Sequence, residues 1–274
     1  MNQKHNFNVG STNELSLRVS VATCNRVLFP HPQDGAWMLA LERRATARRY
    51  GEDDVRVWSQ PFGGAVRIFD PAPLQGMVGE LQFDSARSQR EQDFRIQIRP
   101  SQWEQVKEYC LSHLGTQEDL QIESSPDREL TEEFAETIDV SLKSDQYKVQ
   151  PLGFVVENNP VRSDNIHARG QPTVRVYRIF DVRITDAALC GTMLAVHQQY
   201  TDQELGACAL RDAENGGRGR VNSILTLPLE RVIDTWLELP PEMRYRKIKV
   251  EGHELDESML AVLWDIEVPQ YERI

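Results

Sequence analysis

An amphipathic acidic segment, DRELTEEFAETI, constrains the fold of this chain more strongly than any other stretch. Its large apolar residues recur at intervals of four, as on one side of an α-helix: Leu130, Phe134 and Ile138. Its glutamates fall together on another side: Glu129, Glu132, Glu133 and Glu136. Pro126 and Asp127 suit the first turn, where proline is tolerated and the helix dipole favours a carboxylate. The segment is therefore predicted to be a helix that buries its apolar side in a core.

The stripe of carboxylates on this helix has two interpretations. Like charges at these spacings cost a few tenths of a kcal/mol per pair, so a bare helix gains nothing from them. A divalent cation such as Mg²⁺ or Mn²⁺ reverses that cost, because these hard ions prefer carboxylate oxygens. A solvated acidic face is the commoner origin of such a run. The residues of the helix alone leave both interpretations open.

Strand-like and helix-like segments are mixed along the rest of the chain. Runs rich in β-branched and aromatic residues predict strands: LSLRVSVATCNRVLF, AWMLALERR, VRVWSQPFGGAVRIF, FRIQIRP, YKVQPLGFVVENN and TVRVYRIFDVRI. Two segments predict helices, WEQVKEYCLSHL behind a Ser101–Glu104 capping box and PLERVIDTWLELP further on. The tail predicts a strand and a final helix. We expect one α/β domain over residues 1–274, with an insertion at 71–127 and a C-terminal extension at 240–274.

Charge and cysteine usage narrow the function. The net charge of -11 argues against a nucleic-acid or anionic-membrane surface, because affinity for phosphate backbones comes from clustered Lys and Arg. The four cysteines lie far apart without zinc-ligand spacing, as is typical of reduced thiols in a cytosolic protein. The polar start MNQKHNFNVGSTN predicts neither secretion nor membrane insertion. A cytoplasmic protein is expected.

The residues RELTEE, Arg128 to Glu133, preceded at a distance by PFGGAVRIFD, resemble the signature of the Nudix hydrolases. That signature is a Gly, five residues, a Glu, seven residues, then Arg-Glu, an aliphatic, any residue, Glu-Glu, any residue, Gly and an aliphatic. The second half matches without a gap at Arg128, Glu129, Leu130, Glu132 and Glu133. Gly64 followed by five residues reaches Asp70 in the position of the first glutamate. The resemblance implies a Nudix-type α/β/α sandwich with a mixed sheet and an inserted strand-helix element.

Three differences separate this chain from the family signature. Residues 71–127 stand between Asp70 and Arg128, where the family has seven residues. Asp70 replaces the first glutamate with a shorter carboxylate. Ala135 and Glu136 replace the closing Gly and aliphatic, so the helix is expected to continue where the family's helix ends at a left-handed glycine.

The resemblance also implies roles for individual residues. Glu129, Glu132 and Glu133 would coordinate Mg²⁺ or Mn²⁺, with Asp70 and a backbone carbonyl at Gly63 or Gly64 as further ligands. Arg128 would pair with a carboxylate, with Glu129 as the first candidate, and orient it. The metal would clamp a diphosphate, neutralise the leaving phosphate and help to ionise an attacking water. Both Glu129 and Arg128 are thus predicted to serve catalysis.

The general base is left open by the sequence. Glu129 is the first candidate, and three glutamates elsewhere in the chain are alternatives: Glu157, Glu204 and Glu214. The loop ENGGRGR carries two arginines that suit phosphate oxygens, yet a surface turn is the commoner origin of such a glycine-rich loop.

The predicted function is Mg²⁺-dependent hydrolysis of a nucleoside diphosphate linked to another moiety, with a nucleotide-like small molecule as the partner. One alternative is a non-catalytic Nudix-fold sensor or binding module for a nucleotide ligand. Another is an interaction scaffold whose acidic stripe is merely solvated. The helix of the insertion is interpreted as a cover of the core or as a contact in a homodimer.

Overall fold

The long apolar segment after Ser16 forms the central strand of a mixed sheet. The structure, a computed structural model, describes residues 16–47, 55–116, 118–162, 170–240, 248–256, 258–259, 262–265 and 272–274. Strand β1 (Leu17–Pro30) pairs in parallel with β7 (Pro172–Ile184) along one edge. Its other edge is shared in turn by β5 (Arg95–Ile98), the segment around Phe62–Ala65, and β2 (Trp37–Thr46). Because β-branched residues fill β1, it suits a position with neighbours on both sides.

The described strands form one eleven-stranded sheet with parallel and antiparallel pairs. Besides β1, β2, β5 and β7, the strands are β3 (Arg56–Gln60), β4 (Gln82–Phe83), β6 (Tyr147–Arg162), β8 (Arg220–Pro228), β9 (Ile248–Val250), β10 (His253–Leu255) and β11 (Glu272–Arg273). The main path runs β11-β6-β7-β1-β2-β3-β10-β9, while β5 joins β1 and β4, and β8 joins β2. The predicted strands are confirmed within the described residues, except that the second half of VRVWSQPFGGAVRIF forms only isolated bridges. Strands β9 and β10 extend the sheet beyond β3.

Helices cover both faces of this sheet. The seven described helices are α1 (Ala72–Val78), α2 (Ala86–Glu91), α3 (Trp103–Leu114), α4 (Asp127–Ile138), α5 (Ala187–His197), α6 (Asp202–Glu214) and α7 (Leu229–Glu238). Val27 of β1 and its neighbours pack under α4 and α5, whereas Cys24 and Leu28 pack with α7 on the opposite face. Alternate side chains of β1 therefore pack into cores on opposite faces of the sheet. This is the layering of an α/β/α sandwich and confirms the predicted fold class.

The segment 71–127 is part of this architecture and does not project from it. Strand β5 pairs with β1, and α3 packs Val106 and Leu114 into the core that also holds Val19 and Val21 of β1. The predicted strand and helix of the segment are confirmed. The predicted capping box is wrong: a 3-10 turn at Pro100–Gln102 precedes α3, and the Gln102 side chain accepts a hydrogen bond from the Arg99 backbone N–H at 2.9 Å.

Two further predictions concern the second half of the chain. Helix α6 was not predicted, and it is started by Thr201, whose hydroxyl accepts a hydrogen bond from the Glu204 backbone N–H. The final helix predicted in the tail falls largely outside the described residues. Among the described helices, none combines the length and apolar composition that a membrane span requires.

Candidate active site

Helix α4 is held against the loop at Phe62–Gly64 by its apolar side. Leu130 and Phe134 are fully buried, and the Phe134 ring lies 4.8 Å from the Phe62 ring, centroid to centroid. The helix continues through Ala135 to Ile138, as predicted, and ends at Asp139, which adopts the left-handed conformation with φ 56°. Asp139 thus ends the helix in the way a glycine commonly does. This packing sets the glutamates of α4 beside the two glycines of the loop.

The glycine loop touches two glutamates of α4 directly. The Gly63 backbone N–H donates a hydrogen bond of 2.5 Å to Glu133 Oε2. A Cβ atom on Gly64 would lie only 2.0 Å from Glu129 Oε2, so the carboxylate of Glu129 rests on the backbone at this position. The Gly64 carbonyl, a predicted metal ligand, accepts a hydrogen bond from the Thr23 backbone N–H at 2.9 Å. A carbonyl has two lone pairs, so one remains for another partner.

We expect alanine to destabilise the protein strongly at Gly63 and only slightly at Gly64. Gly63 has φ +146°, and its Cβ would lie 2.1 Å from the Thr23 carbonyl oxygen, which is fixed in β1. Gly63→Ala should therefore lower the free energy of unfolding by about 3 kcal/mol or more, through strain and overpacking together. At Gly64 the obstacle is a flexible glutamate, so Gly64→Ala should displace Glu129 and keep the fold. Urea unfolding of both variants measures this, and equal losses of stability would contradict it.

Arg128 forms ion pairs with three carboxylates. Its Nη2 atom lies 2.6 Å from Glu123 Oε2 and 2.6 Å from Glu129 Oε1, and its Nη1 lies 3.0 Å from Glu132 Oε2. The Nε–H adds a bond of 2.7 Å to Glu123 Oε1, so the guanidinium grips Glu123 with two donors. Burial opposes its charge, but these ion pairs outweigh burial and raise the pKa of Arg128. The predicted pairing of Arg128 with Glu129 is present, and Glu123 is an additional partner.

The carboxylate beside Arg128 from the segment before α4 is Glu123, whereas Asp70, a predicted metal ligand, makes its contact elsewhere. Asp70 is exposed, and its Oδ1 accepts a hydrogen bond of 3.0 Å from the Ala72 backbone N–H at the start of α1. Glu123 is buried, pairs with Arg128 and also accepts from the Arg67 backbone N–H at 3.3 Å. The contacts therefore place Asp70 at a helix start and Glu123 beside Arg128. No spacing in the signature pointed to Glu123, although it lies only five residues before Arg128.

A second charged cluster lies beneath α4 on strand β2. Glu42 is 1% exposed and forms a close ion pair with Arg44, whose Nη2 also lies 3.4 Å from Glu133 Oε1. Arg220 of β8 approaches Glu42 at 3.5 Å. Glu42 and Arg44 point toward α4 because alternate residues of β2 share a face with Met38 and Ala40. Sequence reasoning missed both residues; the charges inside the otherwise apolar run AWMLALERR were the available signal.

The buried carboxylates of α4 resist ionisation. The pKa of Glu133 lies well above its ordinary value, because burial disfavours the charged form and Glu42 is a neighbouring carboxylate. Burial also raises the pKa of Glu129, against the opposing effect of Arg128. A cation bound between these side chains would remove both penalties. Perturbed carboxylates beside a glycine loop are therefore a candidate functional site.

Glu133→Gln is expected to stabilise the protein in a pH-dependent manner. The folded chain holds the Glu133 proton above about pH 4.3, the ordinary pKa of Glu, where the unfolded chain has released it. Wild-type stability is therefore fully present below that pH and falls as the pH rises through the folded pKa. The melting temperature of Glu133→Gln should match that of wild type near pH 4. At pH 8 it should be higher, by about 2–4 °C for each kcal/mol of unfolding free energy that wild type has lost between these pH values. A difference that does not depend on pH would contradict this account.

The alternative general bases make contacts away from α4. Glu157 of β6 is buried and forms a close ion pair with Arg175 of β7. Glu204 is held in the capping box of α6, where it accepts a hydrogen bond of 2.8 Å from the Thr201 backbone N–H. Glu214 is exposed at the last residue of α6. Glu129 is the candidate whose contacts lie within the α4 cluster.

Comparison with known families agrees with this architecture. A mixed sheet between helices, with a glutamate-bearing helix closed by a glycine loop, defines a Nudix-type α/β protein. The family model that matches is described as the SMODS-associated NUDIX domain and covers residues 51–215, more than half of the chain. The chain therefore belongs to this family, and the predicted Nudix resemblance is confirmed. No curated protein and no solved structure matches it significantly.

The donor chemistry of the cluster fits a hard divalent cation. Nudix hydrolases typically use such metals, and the carboxylates of Glu129, Glu132 and Glu133 supply the oxygens that Mg²⁺ and Mn²⁺ prefer. Glycine at position 64 lets Glu129 lie directly on the backbone, where any larger residue would fill the space. Within the described residues, no group of three or more acidic, His or Cys side chains is arranged to hold a metal ion, and arginines contact Glu129 and Glu133. To bind a metal, Glu129 would have to release part of its contact with Arg128.

Proposed function

We propose that this protein is a Mg²⁺- or Mn²⁺-dependent hydrolase that cleaves the pyrophosphate bond of a nucleoside diphosphate linked to another moiety. The observation that carries the proposal is the contact of the two-glycine loop with Glu129 and Glu133 of α4. These contacts bring the carboxylates of Glu129 and Glu133 together at the loop. Arg128 supports the proposal because it fixes Glu129 and Glu132 from one guanidinium.

The residues of the cluster have separate tasks in this proposal. Glu129, Glu132 and Glu133 would hold the metal, which when bound supplies charge neutralisation at the diphosphate and a lower pKa for water. Glu129 is the general base, because a buried carboxylate with a raised pKa is a stronger proton acceptor than an exposed one. Arg128 orients Glu129, and Arg44 offsets the charge of Glu42 and Glu133 beneath the site.

One observation favours a second candidate, a non-catalytic sensor of a nucleotide ligand. The carboxylates of α4 are already balanced by arginines: Arg128 contacts Glu129, and Arg44 contacts Glu133. Such a cluster keeps its structure without a metal. The description of the family as SMODS-associated also favours a signalling context. A sensor would bind the same class of ligand in the same place.

Product analysis separates these functions. The protein is incubated with ADP-ribose, NAD, dinucleoside polyphosphates, nucleotide sugars and nucleoside triphosphates, with and without Mg²⁺, and the products are resolved by chromatography. The hydrolase should release two phosphate-bearing halves from at least one compound, and only with the metal. Tight binding without products across the panel supports the sensor. If the protein neither binds nor cleaves any compound of the panel, the acidic stripe is interpreted as a solvated surface.

A further inference from the structure

A short two-stranded contact beside α4 sorts its side chains onto two faces. The Glu123 backbone N–H donates to the Arg67 carbonyl at 2.9 Å, and the Phe69 backbone N–H donates to the Gln121 carbonyl at 2.8 Å. Between them Ile68 and Ile122 form an antiparallel bridge, and both are buried in the core under α3. Because side chains alternate in extended backbone, Arg67, Phe69, Gln121 and Glu123 lie on the opposite face.

That opposite face belongs to the candidate active site. Glu123 grips Arg128 with two hydrogen bonds, and Arg67 Nη2 lies 3.8 Å from Glu132 Oε1. Both contacts reach α4 from the same side of the pair of segments. Phe69 follows Arg67 by two residues, so its Cα lies roughly 6–7 Å further along the strand. Phe69 and Gln121 are directly opposite each other and extend the site away from the glutamates.

This extension carries one exposed aromatic ring and two polar atoms without hydrogen-bond partners in the described part of the chain. The Phe69 side chain is unusually open for a phenylalanine, with 57% exposure, whereas its neighbour Ile68 is 3% exposed. The Gln121 Oε1 and Arg67 Nε atoms are buried and have no hydrogen-bond partner among the described residues, so a change of side-chain rotamer that exposes them to a ligand gives up no hydrogen bond at these atoms. A single exposed phenylalanine means little, since such residues are common on protein surfaces. Its alignment with an unpartnered amide and a guanidinium that reaches Glu132 is what indicates a ligand.

We propose that Phe69, Gln121 and Arg67 form a nucleobase subsite next to the carboxylates of α4; this inference rests on the proposed function of that site. The base stacks on the exposed face of Phe69, as bases do on aromatic side chains. The Gln121 amide, which has both a donor and an acceptor group, hydrogen-bonds to the edge of the base. Arg67 lies between the base and the glutamates, where its guanidinium pairs with a phosphate oxygen. The segment 71–127 thereby supplies one wall of the substrate site through Gln121.

The subsite is tested by binding measurements that do not depend on turnover. Dissociation constants of ADP, GDP, CDP, UDP and pyrophosphate are measured by titration calorimetry with Mg²⁺ present, for wild type, Phe69→Ala, Phe69→Trp and Leu120→Ala. Stacking predicts that Phe69→Ala weakens nucleoside diphosphates about ten-fold or more and leaves pyrophosphate unchanged. Phe69→Trp should retain the affinity of wild type. Leu120→Ala is the matched control, because Leu120 is 86% exposed and lies outside the proposed subsite.

Four results would overturn the subsite. Stacking on Phe69 is contradicted if Phe69→Ala binds nucleotides as tightly as wild type does. It is also contradicted if Phe69→Ala loses as much affinity for pyrophosphate as for nucleotides, or if Leu120→Ala loses as much affinity for nucleotides as Phe69→Ala does. Absence of nucleotide binding by wild type contradicts it as well. The proposed hydrolase fails on a different readout, the lack of products in the compound panel. A protein that binds nucleotides through Phe69 without releasing products would keep the subsite and favour the sensor.

Discussion

Replacing Glu132 with glutamine is expected to lower Mg²⁺-dependent turnover by about a hundred-fold or more without unfolding the protein. The Glu132 side chain is 52% exposed, so it is the glutamate of the cluster that a ligand reaches first from solvent. Its ion pairs with Arg128 and Arg67 lie at the surface, where such pairs contribute about 0–1 kcal/mol to stability. Glu132 is proposed as a metal ligand, and replacing even the groups that support such ligands costs about 10–100-fold in metal affinity or activity, so loss of the ligand itself should cost at least as much. Steady-state kinetics and a melting curve on the same sample measure both quantities.

Glu136→Gln is the matched control for this prediction. Glu136 is exposed on the same helix, one turn after Glu132, and the substitution removes the same charge. It should change turnover by less than about two-fold, because an isolated surface substitution has a small effect. Equal losses in the two variants would mean that the general acidity of α4 matters and that Glu132 has no special role. Full activity of Glu132→Gln would remove Glu132 from the catalytic site.

Removing the guanidinium at position 128 is expected to have the largest effect on stability. Glu123 is 6% exposed and the Glu129 side chain is 14% exposed, and both depend on Arg128 for their compensating charge. Breaking a buried ion pair by deleting one partner costs about 3–5 kcal/mol, since the remaining charge is left without compensation. Arg128→Ala should therefore lower the melting temperature by roughly 10 °C. Differential scanning calorimetry at pH 7.5 gives the value.

Two further variants identify the cause of that loss. Adding Glu123→Gln to Arg128→Ala should restore part of the stability, because it removes the carboxylate that was left unpaired. Arg87→Ala is the control: Arg87 pairs with Glu91 at 2.8 Å on the exposed side of α2, and its loss should change stability by less than about 0.5 kcal/mol. An Arg128→Ala protein that melts within 2 °C of wild type would show that Arg128 is not the centre of the cluster.

The position of Glu123 gives the segment 71–127 a role in the site. By pairing with Arg128 it connects the end of that segment to the start of α4. The backbone of Glu123 also pairs with Arg67, so the segment closes against the residues that follow the glycine loop. Residues of the segment 71–127 therefore support the carboxylates of α4 through Arg128. In family terms, the matched range 51–215 includes this segment.

Local pattern was enough to predict helix α4, its buried side and the carboxylates that it presents. Spacings of three and four residues act within one helix, so they can be read without knowing the rest of the fold. The central strands were equally readable, because β-branched residues recur along each of them. The resemblance to the Nudix signature also depended on six contiguous residues, Arg128 to Glu133, and needed no tertiary information.

Only the tertiary structure decided how those charges are compensated. Arg44 lies 89 residues before Glu133, and its contact depends on which face of β2 lies beneath α4. The pairing of Glu123 with Arg128 and the position of Asp70 at the start of α1 depend on the path of the chain between α1 and α4, which no local spacing encodes. Side-chain alternation is exact within a strand, but the pairing of separate strands sets which residues meet. The acidic and apolar sides of α4 could therefore be predicted from the sequence, whereas the residues that pair with its carboxylates are set by the packing of distant segments.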